Sequence, residues 1–160
     1  MPTGPSHELS ALVSRRLQDE YETVRVKVHR QVDGLTDDQL WRRPFPYGNS
    51  VGHLLLHLTG NLSYYIGAQI AGTGYVRNRP LEFTDDSRRS KEDVLGAFDA
   101  ALALVTKALA AQTPEDWSRP YEAVGTDVPD RLAIFVHCVA HADHHAGQMI
   151  YLGKQLGLPE

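Results

Sequence analysis

Apolar side chains recur every three or four residues in four long blocks, and this spacing constrains the fold more than any motif does. In the first block Leu9, Val13, Leu17, Tyr21, Val24, Val28 and Val32 form one helical stripe, with Ser6 ahead of Glu8 as its start and Gly34 as its stop. "TDDQ" at Thr36 has the Thr-x-x-Gln form of a capping box, so a short helix runs to Trp41 and stops before Pro44 and Pro46. Asn49 or Ser50 caps a second long helix carrying Val51, Leu54, Leu55, Leu58, Leu62, Tyr65 and Ile66, which ends near Gly72 or Gly74. "SKED" at Ser90 opens a third, with Val94, Phe98, Leu102, Val105 and Leu109. "TPEDW" at Thr113 makes a further short turn. The last block runs from about Pro129 to Leu156, with Leu132, Phe135, Val136, Val139, Ile150 and Leu152, and Gly157 closes it.

Four long helices with little strand pattern predict an all-α chain built as a four-helix bundle. At 160 residues, 42% of them hydrophobic, the chain suits one domain spanning 1–160 with one core. Between the second and third long helices, "TGYVRNRPLEFTDDSRR" from Thr73 to Arg89 is longer than ordinary bundle loops. It reads as a surface crossover, with a lid over a site as the alternative.

Charge and cysteine content exclude several functions. A formal net charge of −4 offers no basic stripe for nucleic acid. The single cysteine, Cys138, stands among Val136, Val139 and Ala140 and reads as packing. No run of eighteen apolar residues and no basic start followed by an apolar stretch is present, so a cytoplasmic protein with no membrane partner is expected. His-Glu-x-x-His, Cys-x-x-Cys, Gly-x-Ser-x-Gly and a phosphate-binding glycine loop are absent, and no histidine has a Glu three residues before it, as di-iron bundles require.

Histidine placement is what remains. "HCVAHADHHAGQ" sets His137, His141 and His145 at i, i+4 and i+8, so each lies about 40° round from the last on one face of the final helix. In "SVGHLLLHLTGN", His53 and His57 repeat the i, i+4 step among leucines. A buried imidazole without a partner costs about 1–3 kcal/mol, and a bound metal would supply that partner. Spacing alone does not select the ligands. Three neutral imidazoles from two helices suit Zn²⁺, Ni²⁺, Fe²⁺ or Co²⁺ and leave positions for water or substrate.

Taken together, "WRRPFPYGNSVGHLLLHLTGN" and "HCVAHADHHAGQMIYLGKQLG" resemble the DinB-like superfamily, which includes YfiT-type proteins and thiol-dependent S-transferases. That resemblance spans nearly the whole chain and implies a four-helix bundle with a long connection between the second and third helices. It also implies one divalent metal, zinc or nickel foremost, held by a histidine of the second helix and an H-x-x-x-H pair of the last, which here are His57, His141 and His145.

Under that resemblance His53 and His137, each one turn nearer its helix start, line the pocket or join the core. Gln148 can orient water or substrate or pack on a neighbouring helix, and Asn61 is divided between pocket and helix surface. His144 reads as a packing or hydrogen-bonding residue, Asp143 as solvated, and Trp41 and Pro44 as structural. The S-transferase branch implies a low-molecular-weight thiol cosubstrate of the bacillithiol or mycothiol type and a small-molecule substrate. Metal-activated hydrolysis and a non-catalytic metal-binding module are the competing readings. A homodimer is expected, since bundles with broad apolar faces often pair.

Overall fold

A computed structural model describes residues 4–158. Helix α1 spans Pro5–Asp33, α2 Asp37–Trp41, α3 Val51–Leu62, α4 Arg79–Thr84, α5 Lys91–Ala110 and α6 Arg131–Gln155. Among the described residues there is no strand, only an isolated bridge between Pro120 and Asp130. Both α1 and α3 pack on α5 and α6, which makes these four the bundle and places the α3–α6 seam on one side of it.

Local chemistry explains the boundaries. Pro5 occupies the first turn of α1 with Gly4 as cap, so the helix starts one residue before Ser6. Thr36 and Gln39 form the reciprocal capping box of α2. Ser50, rather than Asn49, caps α3 by accepting from His53 N at 3.1 Å. Ser90 caps α5 and Asp130 caps α6 in the same way. After α6, Gly157 turns at φ +91° while Leu158 N–H reaches Gly153 O at 3.0 Å, a Schellman closure.

Beyond Leu62 the helix of α3 continues as a π turn, Ser63–Ala68, with Gln69 N–H bonded to Tyr64 O at 3.2 Å and Ala71 N–H to Ile66 O at 2.9 Å. It thus runs toward Gly72 and Gly74, both at positive φ, as its apolar pattern predicts. The turn aims two tyrosines at the segment before α6: Tyr65 donates to Gly125 O at 3.0 Å, and Tyr64 Oη accepts from Val124 N at 3.3 Å.

The core joins all four long helices through Val28, Leu55, Leu58, Ile66, Phe98, Val105, Ile134 and Phe135, each fully buried. Each such side chain contributes about 1.5–3 kcal/mol by leaving water. Helix α3 is unusual in that every residue except Thr59 is buried. An α-helix at a bundle's edge exposes a face, so α3 needs a second cover. The Thr73–Arg89 link supplies it. The link contains α4, which packs on α3, and therefore is more than a surface crossover.

Candidate metal centre

His57 enters from α3, and His141 and His145 from α6 one turn apart. Their coordinating nitrogens lie within 4.8 Å of one another. His57 Nε2 stands 3.2 Å from His141 Nε2, and His145 Nε2 stands 3.1 Å from the same atom. These two edges suit a shared cation, because Zn–N bonds of about 2.0–2.1 Å set tetrahedral ligands roughly 3.3 Å apart.

Outer partners fix two of the rings. His57 Nδ1 lies 2.8 Å from Glu82 Oε2 on α4, and both side chains are only 6% exposed. A carboxylate can only accept here, so Nδ1 carries the proton and Nε2 turns its lone pair toward the other histidines. His145 Nδ1 lies 2.7 Å from Gln148 Oε1, which holds that ring the same way. Two lone pairs thus face His141 Nε2.

His141 has no consistent answer on its own. Its Nδ1 is buried and makes no hydrogen bond. If Nδ1 holds the proton, a buried donor goes unmet and three lone pairs converge; if Nε2 holds it, one of its two neighbours still opposes it and Nδ1 becomes an unmet acceptor. A divalent cation at the convergence removes the lone-pair conflict, so the donor set fits one. Burial, then the like charges of His145 and His57, pull the His141 pKa down to about 3, so it is neutral and ready to ligate at pH 7. His145 is lowered as well, by burial against the opposing Gln148 hydrogen bond.

Glu82 is the functional residue that sequence patterning does not reveal. Arg77 clamps it with two bonds, Nε to Oε1 at 2.7 Å and Nη2 to Oε2 at 2.9 Å. Burial works against its charge, but the hydrogen bonds from His57 and Arg77 outweigh it and hold its carboxyl below the ordinary glutamate range. Room for this carboxylate comes from Gly60, where an added Cβ would collide with Glu82 Oε1. Phe83 packs a ring 4.8 Å from that of His57.

Other candidates take separate places. His53 does not join the cluster: its Nδ1 is 2.6 Å from Ser50 Oγ, its Nε2 3.0 Å from Asp85 O, and its ring meets Trp41 edge-on at 5.3 Å. It ties the link to α3. His137 is exposed and stacks parallel to His141 at 6.2 Å, at the outer edge of the cluster. Gln148 holds His145 and also meets His144 Nε2 at 3.3 Å, so its amide is engaged by two histidines of its own helix. Asn61 is buried with an unpartnered Oδ1. Asp143 pairs with Lys27 at 2.6 Å on the exposed face, and Cys138 is fully buried, as read from sequence.

An all-α bundle with three imidazoles converging from its second and last long helices defines a class of protein whose site is compatible with one divalent metal. The DinB superfamily profile matches residues 20–149, and the chain belongs to that superfamily. Among solved structures it is similar to a DinB-like protein from Bacillus cereus ATCC 10987, with TM-score 0.69, 19% identity, and coverage of 89% of this chain and 92% of that one. A conserved protein from Enterococcus faecalis aligns with TM-score 0.74, 18% identity, and coverage of 89% and 96%. At these identities the likeness speaks for the fold. No curated protein matches the chain. Among the described residues no helix is long and apolar enough to cross a membrane.

Proposed function

We propose that Nε2 of His57, His141 and His145 hold one divalent transition metal, zinc or nickel, and that the protein uses it to transfer a low-molecular-weight thiol to an electrophilic small molecule. The observation that carries this reading is the convergence of the three imidazoles, with His57 Nε2 and His145 Nε2 both set against His141 Nε2. A divalent cation there would stabilise a thiolate at pH 7, where a free thiol of pKa near 8.5 is mostly protonated. Among the described residues the group comprises three protein ligands, which leaves coordination open to an exogenous molecule.

The chain's own residues have defined tasks in this reading. Glu82 and Gln148 keep the protons of His57 and His145 on Nδ1, and Arg77 keeps Glu82 charged. Phe83 packs its ring against that of His57. Cys138 is not a nucleophile, because burial pushes its thiol up to about 12. The reacting sulfur must therefore arrive with a cosubstrate.

The test is a conjugation screen on metal-loaded protein with bacillithiol, mycothiol and glutathione against electrophilic acceptors. Conjugate formation above the enzyme-free rate, lost in His141→Ala, supports the reading. No conjugate with any thiol overturns it, and turnover without thiol would assign hydrolysis instead. We also propose a homodimer, supported by the exposed apolar residues Leu9 and Leu12 on α1; a monomer mass in light scattering would refute it.

A further inference from the structure

Beside the link, a cavity of about 620 Å³ lies apart from the histidines. Tyr65 and Tyr75 wall it, Arg77 and Arg79 supply its positive side, and Val76 and Val124 form its lip. It is a built site. The Tyr64 and Tyr65 hydroxyls fasten the Val124–Gly125 backbone to the π turn, and the Arg77 guanidinium sits 5.6 Å from the Tyr65 ring centre. Val76 and Val124 are 88% and 85% exposed, so two separate segments present apolar surface around one opening.

Its electrostatics are one-sided. No Asp or Glu lines the cavity, although the chain carries a net charge of −4. Glu82 offsets Arg77 from behind, whereas Arg79 has no carboxylate partner among the described residues and instead lies over the Phe83 ring at 5.4 Å. The wall therefore carries an uncompensated guanidinium beside tyrosine rings and valines. Such a lining selects a molecule with an apolar or aromatic body and one anionic end.

We propose that this cavity binds the carboxylate of a small organic substrate, with the carboxylate on Arg79 and the apolar body between Tyr75, Val76 and Val124. Arg77 lines the cavity and bonds Glu82, which in turn meets His57 Nδ1, so a molecule anchored here is linked to the histidine cluster through these two side chains. The inference names a substrate class for the site proposed above and rests on that reading for the reacting end alone; binding in the cavity needs no metal.

Phenylacetate and phenylacetamide, which differ in charge at one end, are the probes, titrated into ¹⁵N-labelled wild type and Arg79→Gln. Phenylacetate is expected to shift the amides of residues 75–79 and 124–125, with affinity at least tenfold weaker in Arg79→Gln and for phenylacetamide. Equal binding of the amide, equal binding by the variant, or phenylacetate shifts absent or confined elsewhere would overturn the proposal. Metal content measured on the same sample keeps the two readings distinct: binding in metal-free protein leaves the cavity standing while the metal reading falls, and a metal-loaded protein that ignores phenylacetate does the reverse.

Discussion

Glu82 Oε2 sits 2.8 Å from His57 Nδ1, inside the protein, although the two residues belong to a connecting segment and a bundle helix. The contact makes the link part of the site. A carboxylate behind a histidine fixes its tautomer and raises its basicity, and losing such a partner typically costs about 10–100-fold in metal affinity. Glu82→Gln should weaken Zn²⁺ binding within that range, and Glu82→Ala more, in competition against a chromophoric chelator. Unchanged affinity in both would mean that Glu82 only packs.

Removing Glu82 also strands Arg77, whose side chain is 10% exposed. Breaking one side of a buried ion pair costs roughly 3–5 kcal/mol. Urea unfolding of chelator-treated Glu82→Ala should show a loss of that order. The double variant Arg77→Met/Glu82→Leu should recover much of it, since paired apolar replacements leave no buried charge.

Gly60→Ala gives a test by sign. In an ordinary helix interior this change stabilises by about 1 kcal/mol. Here the new Cβ would strike the Glu82 carboxylate, so the variant should lose about 1–3 kcal/mol and weaken metal binding without touching a histidine. A stabilised variant with normal affinity would show that α4 can move away freely.

Acid should destabilise the metal-free protein through His141. Its folded pKa of about 3 lies below the unfolded value near 6.5, so between those values the unfolded chain binds more protons and stability falls as pH drops. Burial lowers His53 and His145 too, which adds to the same slope. Melting temperatures from pH 7 to pH 5 in chelator should decline, and His141→Phe should flatten the decline. An identical slope in the variant would remove His141 as its source.

Much of this architecture is legible in the residues. The stripes from Leu9 to Val32 and from Val94 to Leu109 give α1 and α5, because helical period survives wherever one face meets a core and the other meets water. His57, His141 and His145 are legible for a related reason: i, i+4 spacing fixes two on one face, and resemblance to the superfamily selects among the rest. Glu82 and Arg77 are hidden. "RNRPLEFTDD" has the composition of a solvated loop, and only a contact across 25 positions turns its glutamate inward. One signal was present, since α3 is apolar almost all round and needs a cover that four bundle helices cannot provide. The hold of Gln148 on His145 is not legible either, because angle alone does not tell which neighbour the amide reaches.

Cys138 should be silent to an aromatic disulfide reagent in native protein and react stoichiometrically once unfolded, given its full burial and a thiol pushed up to about 12. Fast native labelling would return it to consideration as a nucleophile.

Metal content tests the central claim most directly. Protein purified without chelator or nickel affinity resin should carry about one equivalent of a transition metal by elemental mass spectrometry, with His57→Ala and His141→Ala folded but empty. Wild type that is metal-free and stays so when titrated with Zn²⁺ and Ni²⁺ would contradict the account and leave the three imidazoles as core residues.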